Sequence, residues 1–155
     1  MSTHCFEDAH HVSYKVTRRP QKGILIFCNR APVMWLSKKQ NLVETSTFGS
    51  EFTALKLTVD LVIALQYKLR MFGVPIKGPT DMFCDNEAVF KNTSTPESVL
   101  RNKYYSIAYH KYREAVAALI CHIAKEDTET NLADLFTKIL GCTRIEWLLN
   151  LFTYL

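Results

Sequence analysis

Glu44-Thr-Ser-Thr-Phe-Gly-Ser-Glu51 divides the chain into a β-rich beginning and a helical continuation. Its hydroxyl side chains favour a helix N-cap, because an oxygen there accepts a hydrogen bond from a free backbone N–H. Gly73 and Pro75 end the apolar pattern that follows. That pattern consists of Phe52, Leu55, Val59, Val62, Ile63 and Leu69. We predict a long helix with Glu51 in its first turn.

Strand-like segments precede this stretch at Thr3–Asp8, Ile24–Cys28 and Val33–Leu36. Asn29-Arg-Ala-Pro32 separates the last two and has the composition of a turn. The pattern predicts a three-stranded antiparallel beginning.

The remaining chain alternates strands with helices. We predict strands over Asp81–Asp85 and Leu119–Ala124, and helices over Asn86–Asn92, Arg101–Leu119, Asn131–Leu140 and Arg144–Phe152. The element order β-β-β-α-β-α-α-β-α-α predicts a single α/β domain over residues 1–155.

Composition limits the class of protein. The chain has 155 residues, 48% of them hydrophobic, and a net charge of +4, which permits a polyanionic partner. Its five scattered cysteines form no C-x-x-C pair, and we expect free thiols in a reducing compartment. We expect no signal peptide, because Met1–His11 is polar and contains two acids. We expect no membrane span, because no apolar run approaches about 18 residues.

Four acids stand where predicted elements begin or end: Asp8, Glu51, Asp85 and Asp134. A fold gathers four like charges most often around a divalent metal. Taken singly, an acid near a helix start is more often a helix-dipole partner or a solvated charge. We expect the other acids, Glu7 among them, to be solvated surface residues, and we expect Trp35 to lie in the core.

Six local strings occur in register with one known family. They are Thr17-Arg-Arg19, Trp35-Leu-Ser-Lys-Lys-Gln40, Glu44-Thr-Ser-Thr-Phe-Gly-Ser-Glu51, Cys84-Asp-Asn86, Ser106-Ile-Ala-Tyr-His-Lys-Tyr-Arg-Glu114 and Asn131-Leu-Ala-Asp-Leu-Phe-Thr-Lys138. In order and spacing, the chain resembles the RNase H domain of copia-type LTR-retrotransposon polyproteins. This resemblance covers about Phe6 to Leu155 and implies an RNase H-like fold with a mixed five-stranded sheet, flanking helices and a C-terminal helix.

The resemblance also implies an activity. It implies an endonuclease that cuts the RNA strand of RNA–DNA hybrids during reverse transcription, with Asp8, Glu51, Asp85 and Asp134 as catalytic metal ligands. Two Mg²⁺ ions, roughly 3.5–4 Å apart and replaceable by Mn²⁺, would activate water and stabilise the leaving oxygen. We expect a monomer that works with a reverse transcriptase module of the same polyprotein, in the cytoplasm within virus-like particles or in the nucleus.

The resemblance assigns the hybrid contacts to Arg18, Arg19, Lys38, Lys39 and Asn86. Recognition by backbone charge and shape is expected, with little base reading. His110 is a possible auxiliary residue, although pairing with Glu114 one turn later explains it equally well.

Departures from the family keep alternatives open. His10 and Ser13 replace an acid and a glycine that usually follow the first aspartate, and Pro20 replaces a usual serine. A weak or inactive domesticated copy that only binds hybrid or double-stranded nucleic acid is therefore an alternative. A DNA-joining integrase ranks lower, because that family uses three acids at different spacing.

Overall fold

A computed structural model describes residues 1–10, 20–40, 47–94 and 106–154. The strands are β1 (Thr3–His10), β2 (Gln21–Cys28), β3 (Ala31–Lys39), β4 (Thr80–Cys84) and β5 (Cys121–Lys125). The helices are α1 (Thr47–Met71), α2 (Glu87–Ser94), α3 (Ser106–Ala117), α4 (Asp134–Thr137) and α5 (Cys142–Tyr154). This is the predicted element order.

The strands form one mixed sheet in the order β3-β2-β1-β4-β5. The β1–β2 and β2–β3 pairs are antiparallel, as predicted, and the β1–β4 and β4–β5 pairs are parallel. β1 is the central strand and extends two residues beyond the predicted end at Asp8. Five consecutive residues of β1, from Cys5 to Ala9, are buried, because elements pack on both faces of a central strand.

Each face of the sheet has its own apolar core. On one face, α1 and α3 cover a cluster that includes Ile24, Ile26, Phe52, Leu55 and Tyr112. On the other face, α4 and α5 cover a cluster that includes Phe6, Leu25, Phe27, Leu132 and Leu148. The apolar C-terminal segment therefore packs as a helix on the domain. Among the residues described, no helix is long and apolar enough to cross a membrane.

Among the differences from the predicted helix boundaries, two affect the predicted acids. α1 begins at Thr47, so Glu51 lies in the second turn and not in the first. α4 is a single turn, whereas a helix over Asn131–Leu140 was predicted. The Asn131 side chain accepts a hydrogen bond from the backbone N–H of Ala133 and holds a turn before α4. Lys138 ends α4 because its backbone is extended, with φ −113° and ψ 148°.

Gly23 allows α4 to lie close to β2. A Cβ atom at Gly23 would lie 2.8 Å from the Ala133 carbonyl oxygen, 2.8 Å from Thr137 Cγ2 and 2.9 Å from Phe136 Cβ. Contacts this short do not occur between real atoms of these types, so a side chain at Gly23 would displace α4. The position of Asp134 over the sheet thus depends on this glycine.

Candidate active site

Three of the four predicted acids meet at one end of the sheet. Asp8 lies near the end of β1, Asp85 directly follows β4, and Asp134 opens α4. Glu7 and Cys84 are register partners in the parallel β1–β4 pair, so the residues that follow them, Asp8 and Asp85, lie side by side. One carboxylate oxygen from each of the three aspartates lies within 4.8 Å of the others. We call these three residues the aspartate cluster.

Glu51, the fourth predicted acid, approaches from α1 on the other face of β1. Its carboxylate lies within 4.8 Å of the Glu7 carboxylate and the Cys84 thiol. Burial raises the pKa of Glu51, and the charges of Glu7, Asp8 and Asp85 raise it further. The four acids are therefore close enough to interact, but they are arranged as three plus one.

Two residues of the α4 segment contact the aspartate cluster. The Thr137 hydroxyl donates a hydrogen bond to Asp8 Oδ2. The Lys138 ammonium lies 2.6 Å from Asp134 Oδ1 and 3.8 Å from Asp8 Oδ2. Burial acts to lower the pKa of Lys138, but its hydrogen bond to Asp134 and the surrounding aspartate charges outweigh burial and raise it. The Lys138 ammonium therefore already compensates part of the negative charge of these carboxylates.

The electrostatics of the cluster favour additional positive charge. Burial raises the pKa of Asp85 to about 6, and the charge of Asp8 adds to this effect. Burial also raises the pKa of Asp134, while the hydrogen bond from Lys138 opposes the change. Raised values mean that the ionised carboxylates are incompletely compensated. Closely spaced carboxylate oxygens are the ligands that Mg²⁺ and Mn²⁺ prefer, so the aspartate cluster and Glu51 fit such an ion.

Asn131 connects β1 to the α4 segment. Its side-chain nitrogen donates to the backbone carbonyl of Glu7 at 3.0 Å, and its oxygen accepts from the N–H of Ala133 at 3.0 Å. The residue is fully buried. We predicted no functional role for Asn131, Thr137 or Lys138 from the sequence. Their position in the same family string as Asp134 could have indicated one.

The predicted basic residues Lys38 and Lys39 lie exposed at the end of β3. Lys38 is the register partner of Lys22 across the β2–β3 pair, and Ala9 pairs with Lys22 in the next strand. This row of the sheet is one residue beyond the row that contains Asp8. Burial lowers the pKa of Lys22, and the charge of Lys38 lowers it further. A pair of mutually repelling ammonium groups therefore lies one row beyond Asp8, on the opposite face of the sheet from the Asp8 side chain.

The predicted residues Arg18 and Arg19, and the departure Ser13, lie outside the described residues. His10 is the last residue of β1 and is partly exposed. Its position beside the sheet end agrees with its expected nearness to Asp8.

Asn86 and His110 have different surroundings. The Asn86 side-chain oxygen caps α2 by accepting hydrogen bonds from the N–H groups of Ala88 and Val89, at 2.9 Å and 3.1 Å. His110 is exposed on α3 and lines a shallow surface pocket with Glu114. Its ring also packs edge-on against Tyr109.

Two expectations about single residues are wrong. Glu7 is fully buried and not a solvated surface acid, because it points to the core face of the central strand. Trp35 is 63% exposed and not a core residue, because β3 is an edge strand of the sheet.

Comparisons with other sequences find similarity to transposon polyproteins. It is 26% identical over 146 residues to the retrovirus-related Pol polyprotein from transposon RE1 of Arabidopsis thaliana. It is 25% identical over 141 residues to the corresponding polyprotein from transposon RE2 of the same plant. These alignments cover 94% and 91% of the chain, which spans about a tenth of the length of either relative. No family model matches the chain.

Comparisons with solved structures identify the fold. LC11-RNase H1, isolated from compost, superposes with a TM-score of 0.66 at 14% identity, covering 88% of this chain and 92% of that one. The same enzyme in complex with an RNA/DNA hybrid gives a TM-score of 0.64 at 14% identity, covering 88% and 94%. An N-terminal RNase H domain from Mycobacterium tuberculosis also gives 0.64, at 11% identity, covering 99% and 96%.

The fold and the resemblance expected from the sequence are both confirmed. The chain has the RNase H fold, and its homologues are retrovirus-related Pol polyproteins of copia-type transposons.

Proposed function

We propose that the chain is a ribonuclease H domain that cleaves the RNA strand of RNA–DNA hybrids with a divalent metal. The observation that carries the proposal is the aspartate cluster at the end of the central strands. Glu51 lies close to it: burial and the charge of Glu7 raise the pKa of Glu51, and the charges of Asp8 and Asp85 raise it further. The transposon homologues and the RNase H fold support the same function.

In this proposal Asp8, Glu51, Asp85 and Asp134 hold two Mg²⁺ ions, for which Mn²⁺ can substitute. When bound, such ions make water a nucleophile and stabilise the leaving 3′-oxygen of the cut phosphodiester. Thr137 fixes the orientation of Asp8 through its hydrogen bond. Lys138 exchanges its contact with Asp134 for a phosphate oxygen of the substrate.

The basic residues at the sheet end provide the nucleic-acid contacts in this proposal. Phosphates lying over Lys22, Lys38 and Lys39 would relieve the repulsion within the lysine pair. Arg18 and Arg19 are assigned to the same contact from their sequence string. Asn86 contributes its amide nitrogen, because its oxygen caps α2.

The transposon relatives suggest the setting of the reaction. We propose that the domain works beside a reverse transcriptase module of the same polyprotein and removes RNA during reverse transcription. Cytoplasmic virus-like particles or the nucleus would then be its place of action.

A cleavage assay on an end-labelled RNA–DNA hybrid tests the proposal. We expect Mg²⁺-dependent cutting of the RNA strand that Asp85→Asn lowers at least about a hundredfold, the scale expected for an electrostatic group at the reacting centre. Asp81→Asn is the matched control, because Asp81 lies on the same strand but is exposed and pairs with His122 at 3.4 Å. The proposal is wrong if cleavage is absent or if Asp85→Asn cleaves as well as Asp81→Asn.

A domain that binds hybrid without cutting it is the second candidate. The grouping of Glu51 with Glu7 and Cys84, apart from the aspartate cluster, favours it. A gel-shift experiment beside the cleavage assay separates the two functions, since this candidate requires hybrid binding that persists while no cleavage is seen in Mg²⁺ or Mn²⁺.

A further inference from the structure

Glu7, Glu51 and Cys84 form a second cluster of ligand atoms, distinct from the aspartate cluster. One carboxylate oxygen of each glutamate and the Cys84 sulfur lie within 4.8 Å of one another. All three residues are buried, Glu7 and Cys84 completely and Glu51 with 6% exposed. Glu7 and Cys84 are register partners on adjacent parallel strands, and Glu51 comes from the helix packed over them. Three elements of the fold therefore hold the cluster in place.

Three of the four carboxylate oxygens of this cluster lack hydrogen-bond donors outside it. Among the described residues, both oxygens of Glu7 and Oε2 of Glu51 are buried without such a partner, while within the cluster the Cys84 thiol is hydrogen-bonded to Glu7. Leaving buried charged or polar groups unsatisfied costs about 1–3 kcal/mol each, and more for charges. Native proteins rarely retain such groups without a ligand, water or proton to satisfy them.

We propose that Glu7, Glu51 and Cys84 bind a thiophilic divalent cation such as Zn²⁺. The ligand bonds of Zn²⁺ are about 2.0–2.2 Å to oxygen and about 2.3 Å to sulfur, so one ion can join atoms separated by about 4 Å. A thiolate selects zinc-like ions over magnesium, which prefers oxygen. Binding replaces the Sγ–H bond of Cys84 by an Sγ–metal bond and releases the thiol proton to solvent.

The site is on the opposite face of β1 from the Asp8 side chain and shares Glu51 with the proposed catalytic metal set. A carboxylate has two oxygens, so Glu51 can serve a cation on either face. The zinc-like site does not depend on hybrid cleavage by the domain, because none of its three protein ligands belongs to the aspartate cluster.

Titration with Cd²⁺, a spectroscopic substitute for Zn²⁺, tests the proposal. Cys28→Ser and Cys142→Ser first remove the two cysteines that are not fully buried. In this background we expect a thiolate-to-metal charge-transfer band that saturates at one equivalent of Cd²⁺. Cys84→Ser should abolish the band, and Glu7→Gln should weaken Cd²⁺ binding at least about tenfold. Cys121→Ser is the matched control, since Cys121 is also a buried strand thiol, and it should leave the band unchanged.

The outcomes distinguish this site from the catalytic proposal. Asp134→Asn should lose cleavage and keep the Cd²⁺ band, because Asp134 is not a ligand of the second site. The second site is refuted if folded protein shows no band, or if the band survives Cys84→Ser. If Cys84→Ser does not fold, an unchanged Cd²⁺ affinity in Glu7→Gln refutes it equally. A band without cleavage would support the second site while rejecting the enzyme proposal.

Discussion

Lys138 and Asp134 form an ion pair 2.6 Å long across the single turn of α4, and only 5% of the Asp134 side chain is exposed. The same ammonium lies 3.8 Å from Asp8, so one lysine contacts two members of the aspartate cluster. A metal ion bound by Asp8 and Asp134 would therefore compete with the Lys138 ammonium for their carboxylate oxygens.

We expect Lys138→Met to destabilise the metal-free protein by about 1–3 kcal/mol, because Asp134 would lose its buried partner. The same change should strengthen Mg²⁺ binding, since the competing ammonium is removed. Denaturant unfolding with and without Mg²⁺ measures both effects. Lys91→Met is the control: Lys91 forms an equivalent pair with Glu87, but that pair is exposed, so its loss should leave the stability almost unchanged. Weaker Mg²⁺ binding by Lys138→Met would contradict the competition.

Gly23→Ala should destabilise the domain by about 1–3 kcal/mol, because its Cβ overlaps backbone and side-chain atoms of the α4 segment. Hybrid cleavage should fall as well, since α4 carries Asp134. Thermal unfolding and the cleavage assay provide the measurements. Gly141→Ala introduces a methyl group into open space, and its stability should remain within about 0.5 kcal/mol of the parent. Equal behaviour of the two variants would show that α4 tolerates displacement.

Thr137→Val should cost about 1 kcal/mol and reduce cleavage, because Asp8 loses the hydroxyl that orients it. Thr58→Val is a matched change: the Thr58 hydroxyl is also buried, but it donates to the Ala54 carbonyl within α1 at 3.0 Å. Both variants should lose similar stability in denaturant unfolding. Only Thr137→Val should lose activity, and a comparable loss in Thr58→Val would mean that the effect is merely destabilisation.

Stability should respond to pH through Asp85. Its folded pKa, about 6, lies above the ordinary aspartate value of about 3.9, so the folded protein holds this proton more tightly than the unfolded chain. That contribution is complete below about pH 4 and is lost as pH rises through about 6. We expect the stability difference between wild type and Asp85→Asn to shift by about 1 kcal/mol in favour of the variant across this window, after allowance for solvent screening of a partly exposed group. Denaturant unfolding of both proteins at several pH values measures it, and a constant difference would argue against a raised pKa.

Sequence periodicity could predict the strands and long helices because apolar residues recur in them at regular spacing or form short continuous runs. It could not predict the environment of Glu7. In a central strand both faces are buried, so an acid beside Asp8 looks the same in sequence whether it faces solvent or the core. The exposure of Trp35 likewise depends on β3 lying at the sheet edge, which is a property of strand order.

The family strings could identify the four acids of the site, but they could not predict that three aspartates form one cluster and that Glu51 lies apart from it. That division depends on which face of β1 each carboxylate approaches. The length of α4 was overestimated because the turn held by Asn131 and the extended backbone of Lys138 depend on contacts with β1 and with the acids.

Neighbouring positions on β1 carry Glu7 and Asp8 to opposite faces of the sheet, toward two different groups of ligand atoms. Because side chains alternate along a strand, inserting or deleting one residue in β1 would exchange these two carboxylates. The chemistry of the site therefore constrains the length of this strand as well as its residues. The insertion or deletion of a single residue in β1 could therefore abolish the function of such a domain while every acid remains in its sequence.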